Sequence, residues 1–274
     1  MNKASISNPR IPGNRRKVLF LAYFFPPLGG SGVYRSVKFV KYLPTLGWQP
    51  IVVAGEQPNY WHHDQSLLTD IPPETRVMRV PHGRWLPAIA RRLRGRVPGF
   101  SSFDDHHFQF PDRNRLWART ALGPTHRLAR DLQPQVIFST SSPWSIHLLA
   151  AKLKHRLGIP WVADFRDEWL DHPYLKKLPR AEFARHRELE AMVANTADHC
   201  VFAHPTIASL FQNRHGLPES KVSVITNGYD PDDFQNWSPA PRSNEVIFTH
   251  LGRLYLGQSA ECLAKAVISH WTQD

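Results

Sequence analysis

Residues Val18 to Phe25 form an apolar run that ends in Pro26-Pro27, and Leu28-Gly29-Gly30-Ser31-Gly32 follows at once. From Val33 to Leu46, the apolar residues Val33, Val37, Val40 and Leu43 recur at helical spacing. A buried strand, a glycine-rich turn and an amphipathic helix, in that order, direct the chain toward an α/β fold. The same unit can aim backbone N–H groups and a positive helix end at a phosphate. Glycine suits such a turn because a Cβ would hold the backbone away from the oxygens. An ordinary strand-to-helix turn satisfies the same pattern, so the turn alone does not decide.

The alternation continues down the chain. Strand-like runs fall at 17–24, 49–54, 76–80, 135–139, 160–164, 199–203, 222–226 and 246–250. Helical segments fall near 33–46, 85–96, 113–132, 144–157, 180–196, 205–213 and 260–271. This order predicts a doubly wound parallel sheet, Rossmann-like, with helices on both faces. A chain of 274 residues with 42% hydrophobic content can bury a real core as one large domain or two modest ones. Residues 1–16, polar and rich in Pro, Gly, Asn and Arg, are expected to be a disordered tail. The first domain is expected to span 17–243, ending in the Pro-rich connector 237–243, with 244–274 opening a second domain.

Charge narrows the partners without choosing one. Lys and Arg number 34 against 23 Asp and Glu, a net +11, which suits nucleic acid, an anionic membrane or phosphorylated small molecules. No nucleic-acid motif accompanies the charge, so nucleic acid is set aside. The two cysteines, Cys200 and Cys262, form no C-x-x-C pair, which points to a reducing compartment and a cytoplasmic location. Arg15-Arg16-Lys17 before the apolar run imitates a signal peptide. That run is short, starts late and lacks a small-residue cleavage site. No stretch approaches the ~20 apolar residues that span a bilayer.

Between Arg84 and Val97, Trp85, Leu86, Ile89, Leu93 and Val97 share one helical face, and Arg84, Arg91, Arg92, Arg94 and Arg96 crowd the rest. Such a helix can lie on an anionic membrane surface, here the inner face, or simply pack its apolar side on the domain. Two long loops interrupt the regular pattern, at 55–75 with Tyr60-Trp61-His62-His63 and at 98–112 with Asp104-Asp105-His106-His107. Adjacent histidines seldom share one metal, so both pairs are read as surface residues.

Further candidate chemistry sits at the ends of predicted strands, where doubly wound sheets bind ligands. Phe138-Ser139-Thr140-Ser141-Ser142-Pro143 is followed by Asp164-Phe165-Arg166-Asp167-Glu168-Trp169. Two carboxylates flanking an arginine can orient a polyol hydroxyl and offset phosphate charge, although a salt bridge at the sheet edge would look the same. Val224-Ile225-Thr226-Asn227-Gly228-Tyr229-Asp230 closes another strand. Asp230-Pro231-Asp232 has a D-x-D spacing that reads more simply as a turn, so no metal is expected. Phe248-Thr249-His250-Leu251-Gly252-Arg253-Leu254-Tyr255 again puts a glycine and an arginine after a strand.

Taken in order, FPPLGGSGVYRSVKF, STSSPWS, DFRDEW, ITNGYD and FTHLGRLY resemble the glycosyltransferase family 4-like group of GT-B enzymes, from about Lys17 to Tyr255. The resemblance implies two facing Rossmann-like domains. The amino-terminal domain would hold the acceptor and the carboxy-terminal domain a nucleotide-sugar donor. It implies that Gly29 and Gly30 approach the donor diphosphate, with Arg253 meeting the same phosphates from the other side. Asp164, Arg166 and Asp167 would be the catalytic, acceptor-side residues, and Asn227, Gly228 and Asp230 the interdomain crossover. It implies transfer with retention, without a metal or other cofactor, to a lipid-linked or cell-envelope glycan. It is the kind of enzyme that builds polysaccharide.

The chain departs from that pattern in several places. Only one helix follows Tyr255, so the second domain is expected to be truncated and the activity of this chain impaired. Glu182 and Glu190 have the E-x7-E spacing of the family's donor-binding pair, but they precede the crossover and are read as coincidence. Gln258 stands where a basic residue is common, and Ser141-Ser142-Pro143 where some relatives place a histidine. Two other functions remain open at this point. One is a non-catalytic binding remnant. The other is an NAD(P)-dependent oxidoreductase, suggested by Gly29-Gly30-Ser31-Gly32 with Glu56 ending the second strand.

Overall fold

The computed structural model describes residues 15–81, 110–235, 238, 247–250 and 259–271. The chain divides into two compact units, Met1–Asp230 and Pro231–Asp274.

In the first unit, β1 (Arg16–Leu21) leads through the glycine turn into α1 (Ser31–Tyr42), followed by β2 (Trp48–Glu56) and β3 (Arg76–Pro81). After α2 (Arg115–Leu132) come β4 (Val136–Ser141), α3 (Ser145–Leu157) and β5 (Trp161–Phe165). The unit closes with α4 (Arg180–Thr196), β6 (His199–Phe202), α5 (Pro205–His215) and β7 (Val222–Val224). Among the described residues the strands form one seven-stranded sheet in the order β3-β2-β1-β4-β5-β6-β7, with every pair parallel. The doubly wound reading is therefore correct.

Alternation along β1 explains why helices cover both faces. Phe20 and Ala22 join Val33, Val37 and Val40 of α1 in one core layer. Leu19 and Leu21 point the other way, toward Trp117 and Ala121 of α2 and Ile146, Leu149 and Leu153 of α3. Trp117 is fully buried, its indole N–H on the Val80 carbonyl at 3.1 Å and its ring edge-on to Tyr23. Each such large side chain contributes about 1.5–3 kcal/mol by leaving water.

Chain order reverses between β1 and β4. The chain leaves β1 toward β2 on one side and β4 toward β5 on the other, which opens a crevice at the carboxyl ends of these two strands.

The second unit contains a short 3-10 turn, Pro231–Phe234, and helix α6 (Glu261–Trp271). Ser259 Oγ accepts the Glu261 N–H at 3.2 Å, and Lys265 pairs with Glu261 at 2.6 Å one turn away. Of the strand expected at 246–250, the described residues 247–250 are irregular, with Ile247 and Phe248 exposed. Strand geometry needs a neighbouring edge to take its N–H and C=O groups, and no described residue of this unit supplies one. The Arg84–Val97 segment lies outside the described residues, as does Arg253.

Candidate active site

The glycine turn is held by the loop that follows β2. Gly29 N–H donates to the His62 carbonyl at 3.0 Å, and Asp64 N–H to the Pro27 carbonyl at 2.8 Å. A Cβ on Gly29 would collide with the His62 ring. Gly29 is thus glycine so that this loop can close over it, and its N–H is already spent. In this arrangement Gly29 has no free N–H to offer the diphosphate that the resemblance implied. Gly30 differs. Its φ of +94° suits glycine, and a Cβ there would sit 3.3 Å from the Trp61 ring. Among the described residues, the N–H groups of Gly30, Ser31 and Gly32 carry no hydrogen bond, so the start of α1 is open to an anion.

Inside the crevice, Arg35 of α1 reaches Asp164 at the end of β5. Nη2 lies 2.7 Å from Oδ1, and Nε 3.1 Å from Oδ2. Thr140 Oγ1 adds a third donor to Asp164 at 2.7 Å, and Arg35 Nη1 donates to Asn227 Oδ1 at 3.1 Å. The Asp164 side chain is sealed at 0% exposure and that of Arg35 is nearly so at 6%. Asp164 therefore braces the crevice from behind its wall and cannot touch an acceptor in this arrangement.

Arg166 is also a brace, although it borders the cavity. Nε donates to the Ser141 carbonyl and Nη2 to the Ser142 carbonyl, both at 2.6 Å, and Nη1 donates to Gly32. Burial lowers its pKa, while Asp167 and Asp164 act to raise it. Asp167 is the member of the D-F-R-D run that faces solvent. It lines the cavity and makes no hydrogen bond or ion pair among the described residues.

The 225–230 segment forms the opposite wall. Asp230 is buried and accepts from Lys38 Nζ and Lys41 Nζ at 2.7 Å and from Tyr42 Oη at 2.6 Å. Asn227, Gly228 and Asp230 thus follow the polar face of α1, and a Cβ on Gly228 would meet open space. Together these elements enclose about 790 Å³. Arg35, Lys38 and Tyr42 were missed in the sequence reading. Their signal was there: they recur at i, i+3 and i+7 on the side of α1 away from Val33, Val37 and Val40.

Glu190, half of the coincidental E-x7-E pair, is buried on α4. It accepts from Leu170 N–H at 3.0 Å and from Arg214 and His215 at 2.8 Å.

The sequence profile of Glycosyltransferase Family 4 matches residues 29–233, which include the glycine turn, the strand ends at Thr140 and Asp164 and the crossover. The chain belongs to glycosyltransferase family 4. No match was found among curated proteins. Solved structures similar to this family 4 chain include Anabaena HepE in complex with UDP and glucose, at 14% identity and a TM-score of 0.45, over 79% of this chain and 46% of that one. A glycosyltransferase from Rickettsia africae matches at 13% identity and a TM-score of 0.47, over 83% and 47% of the two chains. The lipopolysaccharide outer core galactosyltransferase WaaB in its apo form matches at 13% identity and 0.45, over 84% and 50%. The chain thus spans about half the length of the structures it matches. Family membership also removes the ground for the oxidoreductase reading, since the glycine turn it rested on belongs to the family match. Among the described residues, no helix of this family 4 chain is long and apolar enough to cross a membrane.

Proposed function

We propose that the first unit is the acceptor-side half of a glycosyltransferase that moves a sugar from a nucleotide-sugar donor to a glycan, with retention of anomeric configuration and no metal. The acceptor assigned is a lipid-linked or cell-envelope glycan, as in polysaccharide building at the inner face of the membrane. The observation that carries this reading is the crevice at the strand-order reversal in a chain that belongs to family 4. On one side of that crevice α1 opens its free N–H groups, and on the other Asp167 presents an unpaired carboxylate. The α1 end and Gly30 would meet the donor diphosphate. Asp167 would accept a hydrogen bond from the acceptor hydroxyl and fix its direction of attack. Arg35, Asp164 and Arg166 hold these two surfaces in register without touching the reacting atoms.

The test is a transfer assay with a panel of radiolabelled nucleotide sugars and polyprenyl-linked or free oligosaccharide acceptors. Product dependent on both substrates and independent of added chelator supports the reading. Sugar transfer to the acceptor that ignores Asp167→Asn would sink it.

A further inference from the structure

Away from the crevice, α2, α3 and α4 frame a second cavity of about 520 Å³, on the face of the sheet opposite α1. Its floor is aliphatic, with Leu148 and Leu149 from α3 and Met192 from α4. Its rim is cationic: Arg115 and Arg119 stand one turn apart on α2, and Lys152 and Arg156 one turn apart on α3, with His155 between them. Among the described residues no carboxylate lines it, and its one ring is the His155 imidazole at the rim.

Among the described residues Arg119, Lys152, His155 and Arg156 make no hydrogen bond or ion pair. Arg115 gives one N–H to the Phe110 carbonyl at 2.8 Å. Its pKa is lowered by burial and then by the neighbouring charges of Arg119 and Arg185. The nearby carboxylate, Asp112, is occupied by the Ser145 N–H and hydroxyl at the start of α3.

We propose that this groove docks the protein on an anionic phospholipid surface, with lipid phosphates on the cationic rim and acyl carbons against the Leu148, Leu149 and Met192 floor. Charge complementarity selects an anion, and the aliphatic floor selects one that carries hydrocarbon. A single-stranded nucleic acid would want a row of ring faces for its bases, and the groove offers only the His155 imidazole at its rim. A small soluble anion would leave the floor in water. The docking is independent of the transfer reaction, because none of these residues borders the crevice.

Sedimentation of the 274-residue chain with phosphatidylcholine vesicles, and with vesicles that also contain phosphatidylglycerol, tests this directly. Binding is expected only to the second kind and should weaken as salt rises. A rim cation near the surface is worth about fivefold in partitioning, so the triple variant R119E/K152E/R156E should lower it about a hundredfold or more. Arg119→Gln alone, which removes one exposed charge without strain, should lower it about fivefold if the triple variant fails to fold. Leu148→Ser should weaken binding with the rim intact. Unchanged binding by these variants overturns the proposal. So does displacement of vesicles by millimolar inorganic phosphate, which would make the groove a soluble-anion site. Loss of binding in R91E/R92E but not in the rim variants also overturns it and moves the docking surface to Arg84–Val97.

Discussion

The Arg35–Asp164 pair makes the clearest demand on experiment, because it decides whether Asp164 is a chemical group or a brace. Asp164→Asn keeps the shape and removes the charge. In the native unit its carboxylate accepts from Arg35 Nη2 at 2.7 Å, Arg35 Nε at 3.1 Å and Thr140 Oγ1 at 2.7 Å, with no exposure of its own. Breaking one half of a buried pair strands the other charge and costs about 3–5 kcal/mol. A domain is typically stable by only about 5–15 kcal/mol, so the loss is a large share. For a unit of this size each kcal/mol moves Tm by about 2–4 °C, giving an expected fall of about 6–20 °C. Thermal melts followed by circular dichroism measure this for Asp164→Asn, Arg35→Met and the double variant. If the pair is a brace, the double variant melts above the sum of the two losses, because Arg35→Met removes the stranded cation. A Tm for Asp164→Asn within about 2 °C of the parent would refute the reasoning and return Asp164 to the list of reacting groups.

Asp167→Asn should leave Tm unchanged, since the exposed carboxylate has no partner among the described residues, while lowering kcat/KM about a hundredfold. A drop in Tm with activity per folded molecule intact would make it structural. Gly29→Ala should destabilise by about 1–3 kcal/mol through its collision with His62 and should loosen the 57–64 loop; a Tm equal to the parent's would mean that His62 moves freely. Stability should also fall as pH drops from 6.5 toward 5. Burial pushes His147 down to about 3 and His186 down to about 4, so both stay neutral when folded and take up protons when unfolded. Each contributes a slope that grows from about 0.7 toward about 1.4 kcal/mol per pH unit across that window, or about 3 kcal/mol for the two together. Denaturant midpoints that do not change between pH 6.5 and 5 would contradict the burial of both rings.

His147 shows how far a local reading reaches. Nothing in its neighbours along the chain marks it as buried. In the fold, Trp161 Nε1 donates to Ser139 Oγ at 2.7 Å, and that hydroxyl shares a hydrogen bond with His147 Nδ1 at 2.8 Å. Its Nε2 is buried and has no hydrogen-bond partner among the described residues.

What the sequence determined was the kind and order of elements. Helical spacing at Val33, Val37 and Val40 and the apolar runs at β1, β4 and β5 act within a few residues, and local sterics enforce them without help. Five motifs in order likewise carried the family before any coordinate did. Three things were decided only by the fold. Placing β1 between β2 and β4, with Leu19 beside both Ile51 and Ile137, made the crevice. The same pairing brought Arg35 to Asp164 across 129 positions of chain, and so sealed a carboxylate expected to be catalytic behind the wall of the crevice. The fold also set His62 against Gly29, which gave that glycine a packing reason that no stretch of sequence shows. Contacts at such separations depend on which strand edges pair. Pairing is chosen by the summed burial of two core layers, and no window of sequence contains that sum.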